Sequence, residues 1–133
     1  MTTSSIPLRV LVCDDELMAR KRVLRLLGEL GGIEATVECE SGEQVLARLR
    51  EDDVDVAILD VNMPGIDGFE AARRIREVSD TYVIMISAFV EDADAERGRL
   101  AGADEYLGKP FRPRELRARL EMVPDRRRRP PQA

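Results

Sequence analysis

Five residues far apart in the chain have side chains suited to a charged oxygen substrate: Asp14, Asp15, Asp60, Ser87 and Lys109. Each stands at the end of a short apolar run: LRVLVC for Asp14 and Asp15, VDVAIL for Asp60, YVIMI for Ser87 and ADEYLG for Lys109. A carboxylate is a competent nucleophile toward an activated phosphoryl group. It is also a ligand for hard cations. Two carboxylates about 4 Å apart repel by roughly 4 kcal/mol at an effective dielectric near 20. Three together need a cation or a raised pKa, and one lysine does not neutralise them. The set suits a divalent ion beside an anionic group that comes and goes. Mg²⁺ fits, since one or two carboxylates hold it while waters and a phosphate complete its shell.

Taken singly, each residue has a plainer reading. An acid between a strand and a helix is usually a cap, a lone serine a turn residue, a lone lysine a solvated charge. Capping does not explain a hydroxyl and a lysine on the remaining strand ends. The stretch ILDVNMPGIDGFE (58–70) tests Asp60 further. An EF-hand loop starting there needs an acid or amide where Pro64 stands and a glutamate where Ala71 stands. Asp67-Gly68-Phe69-Glu70 has the spacing of a capping box with Asp67 as the cap. That leaves Asp60 for other work.

The elements that must position these residues alternate. Strands are expected over 8–13, 35–40, 54–59, 82–87 and 103–109, the second near an edge. Helices are expected over 17–30, 41–50, from Phe69 to Val78, 91–102 and 112–123. Val23, Leu24, Leu27 and Leu30 form the first apolar stripe, and Gly31-Gly32 ends that helix. Ser41 and Gln44 make a capping box. The 91–102 helix is weak, with Leu100 its only large aliphatic residue and Gly98 inside it. Such alternation predicts an α/β fold: a doubly wound five-stranded parallel sheet with helices on both faces. Ligands then bind beyond the carboxyl ends of the strands, where the five residues gather.

The 133 residues suit one domain, and 44% hydrophobic content supplies a core. A net charge of −5 argues against nucleic-acid binding by this domain itself. There is no apolar run long enough for a membrane span and no signal-peptide pattern. Cys13 and Cys39 make no disulfide framework. These features place the protein in the cytoplasm. No histidine is present, which removes the commonest general base. Residues 1–7 and the Arg/Pro-rich 124–133 are expected to be disordered, the latter as tail or linker.

In order and register, VLVCDDE, ILDVNMPGIDGFE, MISA, AGADEYLGKPF and PREL resemble the receiver domain of two-component response regulators over residues 8–123. The resemblance implies the flavodoxin-like strand order 2-1-3-4-5. It implies Asp60 as phospho-acceptor and a Mg²⁺ site (Mn²⁺ as substitute) made by Asp15, Asp60 and the main-chain carbonyl of Asn62, with Asp14 acting through water. Lys109 would pair with the phosphoryl group, Ser87 and the amide of Ala88 would hold its oxygens, and Tyr106 would follow Ser87. The Lys109–Pro110 bond would be cis. The implied donor is a sensor histidine kinase or phosphotransfer protein. Output would pass to a downstream protein, an attached DNA-binding domain outside this chain, or a homodimer through the 91–123 face. Arg112 departs from the family pattern, where a capping residue is usual, so the last helix is expected to start poorly capped.

Other chemistries on this architecture lack their motifs. GxxxxGK[ST] is absent, the first strand ends in Asp-Asp-Glu rather than Asp-x-Asp, and acids occupy the place of a flavin carrier's hydroxyl-rich loop. The alternative within the family is a pseudo-receiver, an interaction module that works without phosphorylation.

Overall fold

Strand and helix alternate five times. The order is β1 (Leu8–Cys13), α1 (Leu17–Leu30), β2 (Ile33–Cys39), α2 (Gly42–Glu51), β3 (Val56–Asp60), α3 (Gly68–Val78), β4 (Tyr82–Ser87), α4 (Asp92–Ala101), β5 (Glu105–Gly108) and α5 (Pro113–Glu121). The computed structural model describes residues 7–51, 53–88 and 92–124. The expected terminal tails therefore lie almost wholly outside the described residues. The strands form one sheet in the order β2-β1-β3-β4-β5, every pairing parallel. This is the doubly wound sheet that the alternation predicts, with β2 at an edge.

Strand side chains alternate between two cores. Leu11, Cys13, Ala57, Leu59, Val83 and Met85 face α2 and α3, among Val45, Phe69, Ala72 and Ile75. Val10, Val12, Val56, Ile58, Ile84 and Ile86 face α1 and α5, among Val23, Leu26, Leu27 and Leu116. Both faces are covered, which is why the central strands read as unbroken apolar runs. Each large side chain buried here contributes about 1.5–3 kcal/mol, so β1, β3 and β4 form the rigid part of the domain.

Several local expectations need correction. In α1, Leu26 is buried while Leu24 and Leu30 only pack against the core margin. Val78 is exposed, because α3 rolls Ala71 inward. β2 starts earlier than its alternation suggests, since Gly32 O already accepts from Leu8 N–H (2.9 Å). Ser41 caps α2 as expected, its hydroxyl accepting the Gln44 N–H (3.3 Å), but Gln44 Oε1 accepts the N–H of Glu40 (2.7 Å) rather than that of Ser41. The start of α5 is better capped than Arg112 implied: the Glu115 carboxylate accepts the Arg112 N–H (2.7 Å).

α4 is anchored differently from the other helices. Leu100 points to solvent, 72% exposed. Instead the Arg97 guanidinium lies over the Phe69 ring, 4.3 Å from its centroid, a cation–π contact. Gly98 is not merely a weak spot in the helix. A Cβ there would meet Tyr106 Cδ2 at 3.0 Å and Met85 Sδ at 3.4 Å. Its missing side chain is the space the Tyr106 ring uses.

A second close approach sets α3 on β3. A Cβ on Gly68 would lie 2.7 Å from Asp60 O and 2.8 Å from Val61 Cα, both backbone. Gly68→Ala is expected to cost about 1–3 kcal/mol through overpacking. Gly28→Ala on α1, where nothing lies within 4 Å, is expected to gain about 0.5–1 kcal/mol from helix propensity. Urea unfolding of the two variants checks the pair; equal effects would refute the reading of Gly68.

Candidate functional site

Strand register brings the acids together. Cys13 pairs with Leu59 across β1 and β3, so Asp14 and Asp60 are the next residues on strands about 4.8 Å apart. Asp60 is itself the last residue of β3 and pairs with Ile86 of β4, with Ser87 one step beyond. Ser87 pairs with Gly108 of β5, and Ser87 O accepts the Lys109 N–H at 2.8 Å. Four strands thus deliver Asp14, Asp60, Ser87 and Lys109 to one edge, and Asp15 extends the β1 end.

Carboxylate oxygens of Asp14, Asp15 and Asp60 all lie within 4.8 Å of one another. Asp14 is buried, the Asp60 side chain is 12% exposed, and Asp15 is open to solvent. The cluster is therefore shielded on one side and reachable on the other. Lys109 Nζ stands 3.4 Å from Asp14 Oδ2 and 3.6 Å from Asp60 Oδ1. Asp14 Oδ1 accepts the Glu16 N–H at 2.9 Å, which fixes its carboxylate plane. One lysine faces three aspartates, so the cluster keeps an excess of negative charge.

Burial weighs on Asp60 more than that excess does. Its carboxyl is pushed up from 3.8 to about 6, first by burial. Lys109 opposes the shift, Asp14 and Asp15 add to it, and the Asn62 N–H bonded to the carboxylate opposes it. Asn62 thus meets Asp60 through its amide, a contact the sequence reading did not include. Asp67 takes the capping role: its Oδ1 accepts the Glu70 N–H at 2.9 Å. Glu70 does not return the bond; its side chain pairs with Arg73 and Arg74 instead.

The other singled-out residues border this cluster. Ser87 is buried at 2% exposure and Ala88 is exposed. The Lys109–Pro110 peptide is cis. Tyr106 packs against the α3-side core, and its hydroxyl is buried without a hydrogen-bond partner. Arg20 went unnoticed in sequence. It is buried, and its Nη1 donates to the main-chain oxygen of Asp14 at 2.7 Å. The available signal was its spacing: residues 20, 23 and 27 share one helix face, so an arginine there points inward.

The donor set, three carboxylates with an excess of negative charge, suits a hard divalent cation and excludes a thiolate or imidazole metal site. Among the described residues no helix is long and apolar enough to cross a membrane.

Known proteins resemble this chain in sequence and fold. Residues 10–121 match the family described as the response regulator receiver domain. The transcriptional regulatory protein ResD of Bacillus subtilis is 42% identical over 115 residues, covering 86% of this chain and 47% of ResD. The chain spans about half the length of the curated relatives it matches. Among solved structures, the receiver domain of NarL from Mycobacterium tuberculosis superposes with a TM-score of 0.82 at 33% identity, covering 88% of this chain and 96% of that one. Chemotaxis protein CheY4 of Vibrio cholerae gives 0.81 at 30%, covering 89% and 99%.

The raised pKa of Asp60 has a stability consequence of definite sign. An acid with a raised folded-state pKa favours the fold fully below its ordinary value of 3.8, and that contribution is lost as pH rises through about 6. Asp60→Asn is therefore expected to stabilise the protein by about 1–3 kcal/mol at pH 7. The gain should vanish near pH 4. Urea unfolding at both pH values, without divalent ions, measures it; a variant no more stable than wild type at pH 7 would contradict the desolvation argument.

Proposed function

This chain belongs to the response-regulator receiver family, and on that premise we propose that it is a phosphorylation-dependent signalling switch with Asp60 as its phospho-acceptor. The observation that carries the reading is the convergence of three aspartates within 4.8 Å, with Lys109 reaching both Asp14 and Asp60.

Phosphoryl transfer needs alignment and charge neutralisation more than covalent help. A carboxylate oxygen of Asp60 attacks the phosphorus of a donor phosphohistidine. The P–N bond breaks, and the imidazole leaves with its electron pair. Asp60 must be ionised to attack, and Lys109 favours that form. Lys109 then pairs with the phosphoryl oxygens. The Ser87 hydroxyl and the Ala88 amide donate to the others. Asp15, Asp60 and the main-chain carbonyl of Asn62 would hold a Mg²⁺ or Mn²⁺ ion, with Asp14 beside them, and such an ion would supply the remaining positive charge. The donor is a histidine kinase or phosphotransfer protein, as this chain has no histidine.

The signal leaves through β4, β5 and α4. Ser87 and Lys109 open the two loops that lead into α4 and α5. A phosphoryl group held by both pulls on both. The part of the first loop at 89–91 lies outside the described residues. A full switch needs roughly 5.5 kcal/mol of differential stabilisation. One charge-assisted hydrogen bond gives about 1.5–3, so Lys109, the metal and repacking of Tyr106 supply the rest. Tyr106 repacks readily because its hydroxyl gains a partner when it leaves its buried position. The relatives' names point to transcriptional output. Output through an attached DNA-binding domain, or through pairing of the 91–123 face in a two-fold dimer, fits that.

Two outcomes are expected. Acetyl phosphate with Mg²⁺ should label wild type with an acid-stable, base-labile adduct that Asp60→Asn lacks; an adduct surviving on another residue sinks the assignment. Beryllofluoride should shift amide resonances mainly across 87–112 rather than in α1 and α2. Separately, Gly98→Ala should crowd Tyr106 and forfeit the gain of about 1 kcal/mol that alanine normally brings to a helix. It should also move the 87–112 resonances part-way toward the beryllofluoride positions; an unperturbed spectrum would show that Tyr106 tolerates the methyl group.

A further inference from the structure

A guanidinium lies beside the acid cluster, and neither the core nor the phosphoryl chemistry accounts for it. Arg20 sits in the second turn of α1 with 7% exposure. Burying such a charge is costly unless its donors are used. Both arms are used. Nε donates to Glu38 Oε1 on β2 at 2.9 Å, and Nη1 donates to the carbonyl of Asp14 at 2.7 Å. On the other side of the same residue, the Asp14 N–H donates to Cys39 O of β2 at 3.1 Å. The peptide before Asp14 is therefore tied to the β2 backbone, and the peptide after it is tied to β2 through Arg20 and Glu38.

The second peptide is the one that matters. It joins Asp14 to Asp15, and its orientation decides where the Asp15 side chain leaves the backbone. Asp15 is exposed, yet its carboxylate lies within 4.8 Å of those of Asp14 and Asp60. Mutual repulsion favours swinging it away into water. We propose that Arg20 is a positioning residue for the acid cluster: anchored on Glu38, it holds the Asp14–Asp15 peptide so that Asp15 stays turned toward Asp60. The inference rests on the metal-dependent reading of that cluster given above.

The alternative is a clamp that merely fastens α1 to β2. Glu38 is partly exposed and shared with Lys21, whose Nζ is 3.5 Å from Oε2, so that arm alone is a weak surface pair. The arm to the Asp14 carbonyl contributes nothing to an α1–β2 clamp. Charge also separates the two roles. Arg20 is itself a cation near the cluster, so deleting it would relieve repulsion of Mg²⁺ while loosening Asp15. Lysine keeps the charge but lacks the rigid two-point fork. Arg20→Lys therefore isolates the positioning effect.

The experiment is a Mg²⁺ titration of the full, unphosphorylated chain, followed by the amide resonances of residues 14, 15 and 60–62, with urea unfolding run in parallel. Arg20→Lys should need about tenfold more Mg²⁺ for half-saturation, the scale typical of an outer partner of a metal ligand. Glu38→Ala, at an exposed position, should shift the titration a few-fold in the same direction. In an Asp15→Asn background, Arg20→Lys should add nothing. If Arg20→Lys loses stability but titrates like wild type, the residue is only a clamp and the proposal fails. Should Arg20→Lys not fold, Glu38→Ala decides: an unchanged titration overturns the proposal. A wild-type chain that shows no Mg²⁺ response rejects the metal reading itself, and this inference with it.

Discussion

Three carboxylates held within reach of one another, with one lysine to offset them, are the constraint on which the rest of this structure depends. Left alone they would separate or protonate, and burial adds to that tendency at Asp60, whose carboxyl is pushed up to about 6. What prevents separation is the rigidity of the strands that carry them. β1, β3 and β4 are buried on both faces, and parallel pairing fixes their register residue by residue. The repulsive energy of the cluster, a few kcal/mol at most at an effective dielectric near 20, is small beside the burial of a dozen large side chains. The domain can therefore sustain a site that is unfavourable by itself and becomes favourable when positive charge arrives.

The opposite balance holds around α4. α4 has no large aliphatic residue in the core and is fastened by Arg97 over Phe69 and by the fit of Tyr106 against Gly98. Cation–π contacts at partly exposed positions are worth about 0.5–1 kcal/mol. That anchorage is of the same order as a single hydrogen bond. A rigid half that carries electrostatic tension thus faces a half held by contacts worth one or two hydrogen bonds. Arg76 fastens the next segment: it donates to Gly102 O and pairs with Asp104, and Asp104 accepts the Val83 N–H, so the start of β5 is pinned to β4.

Much of this was legible in the sequence. Apolar runs alternating with helical periods gave the fold, because a strand buried on both faces has no polar alternation to hide it. The acids, hydroxyl and lysine were visible because they interrupt those runs at their carboxyl ends. Capping residues were legible in type but not in partner. Asp67 caps α3 as its spacing implied, whereas Gln44 reaches Glu40 and Glu115 rescues a helix start that Arg112 does not cap. Those bonds depend on the angle at which the preceding loop enters.

The sequence by itself determined which residues stand at strand ends and therefore which chemistry is present. That information is local: side-chain type and period are properties of a few consecutive residues. Only the tertiary structure decided the distances among them, since Asp14, Asp60 and Lys109 meet through register between strands that are remote in the chain. It also decided the meaning of three residues whose roles depend on a distant neighbour. Gly98 reads as a flaw in a helix until Tyr106 is seen to occupy its space. Gly68 is only a member of the Asp67 capping stretch until the β3 backbone is found against it. Arg20 has the spacing of an inward residue, but its partner is unknown until its fork is found on the carbonyl of Asp14. Each is a matter of what lies within about 4 Å across the fold, and no periodicity along a single chain encodes that.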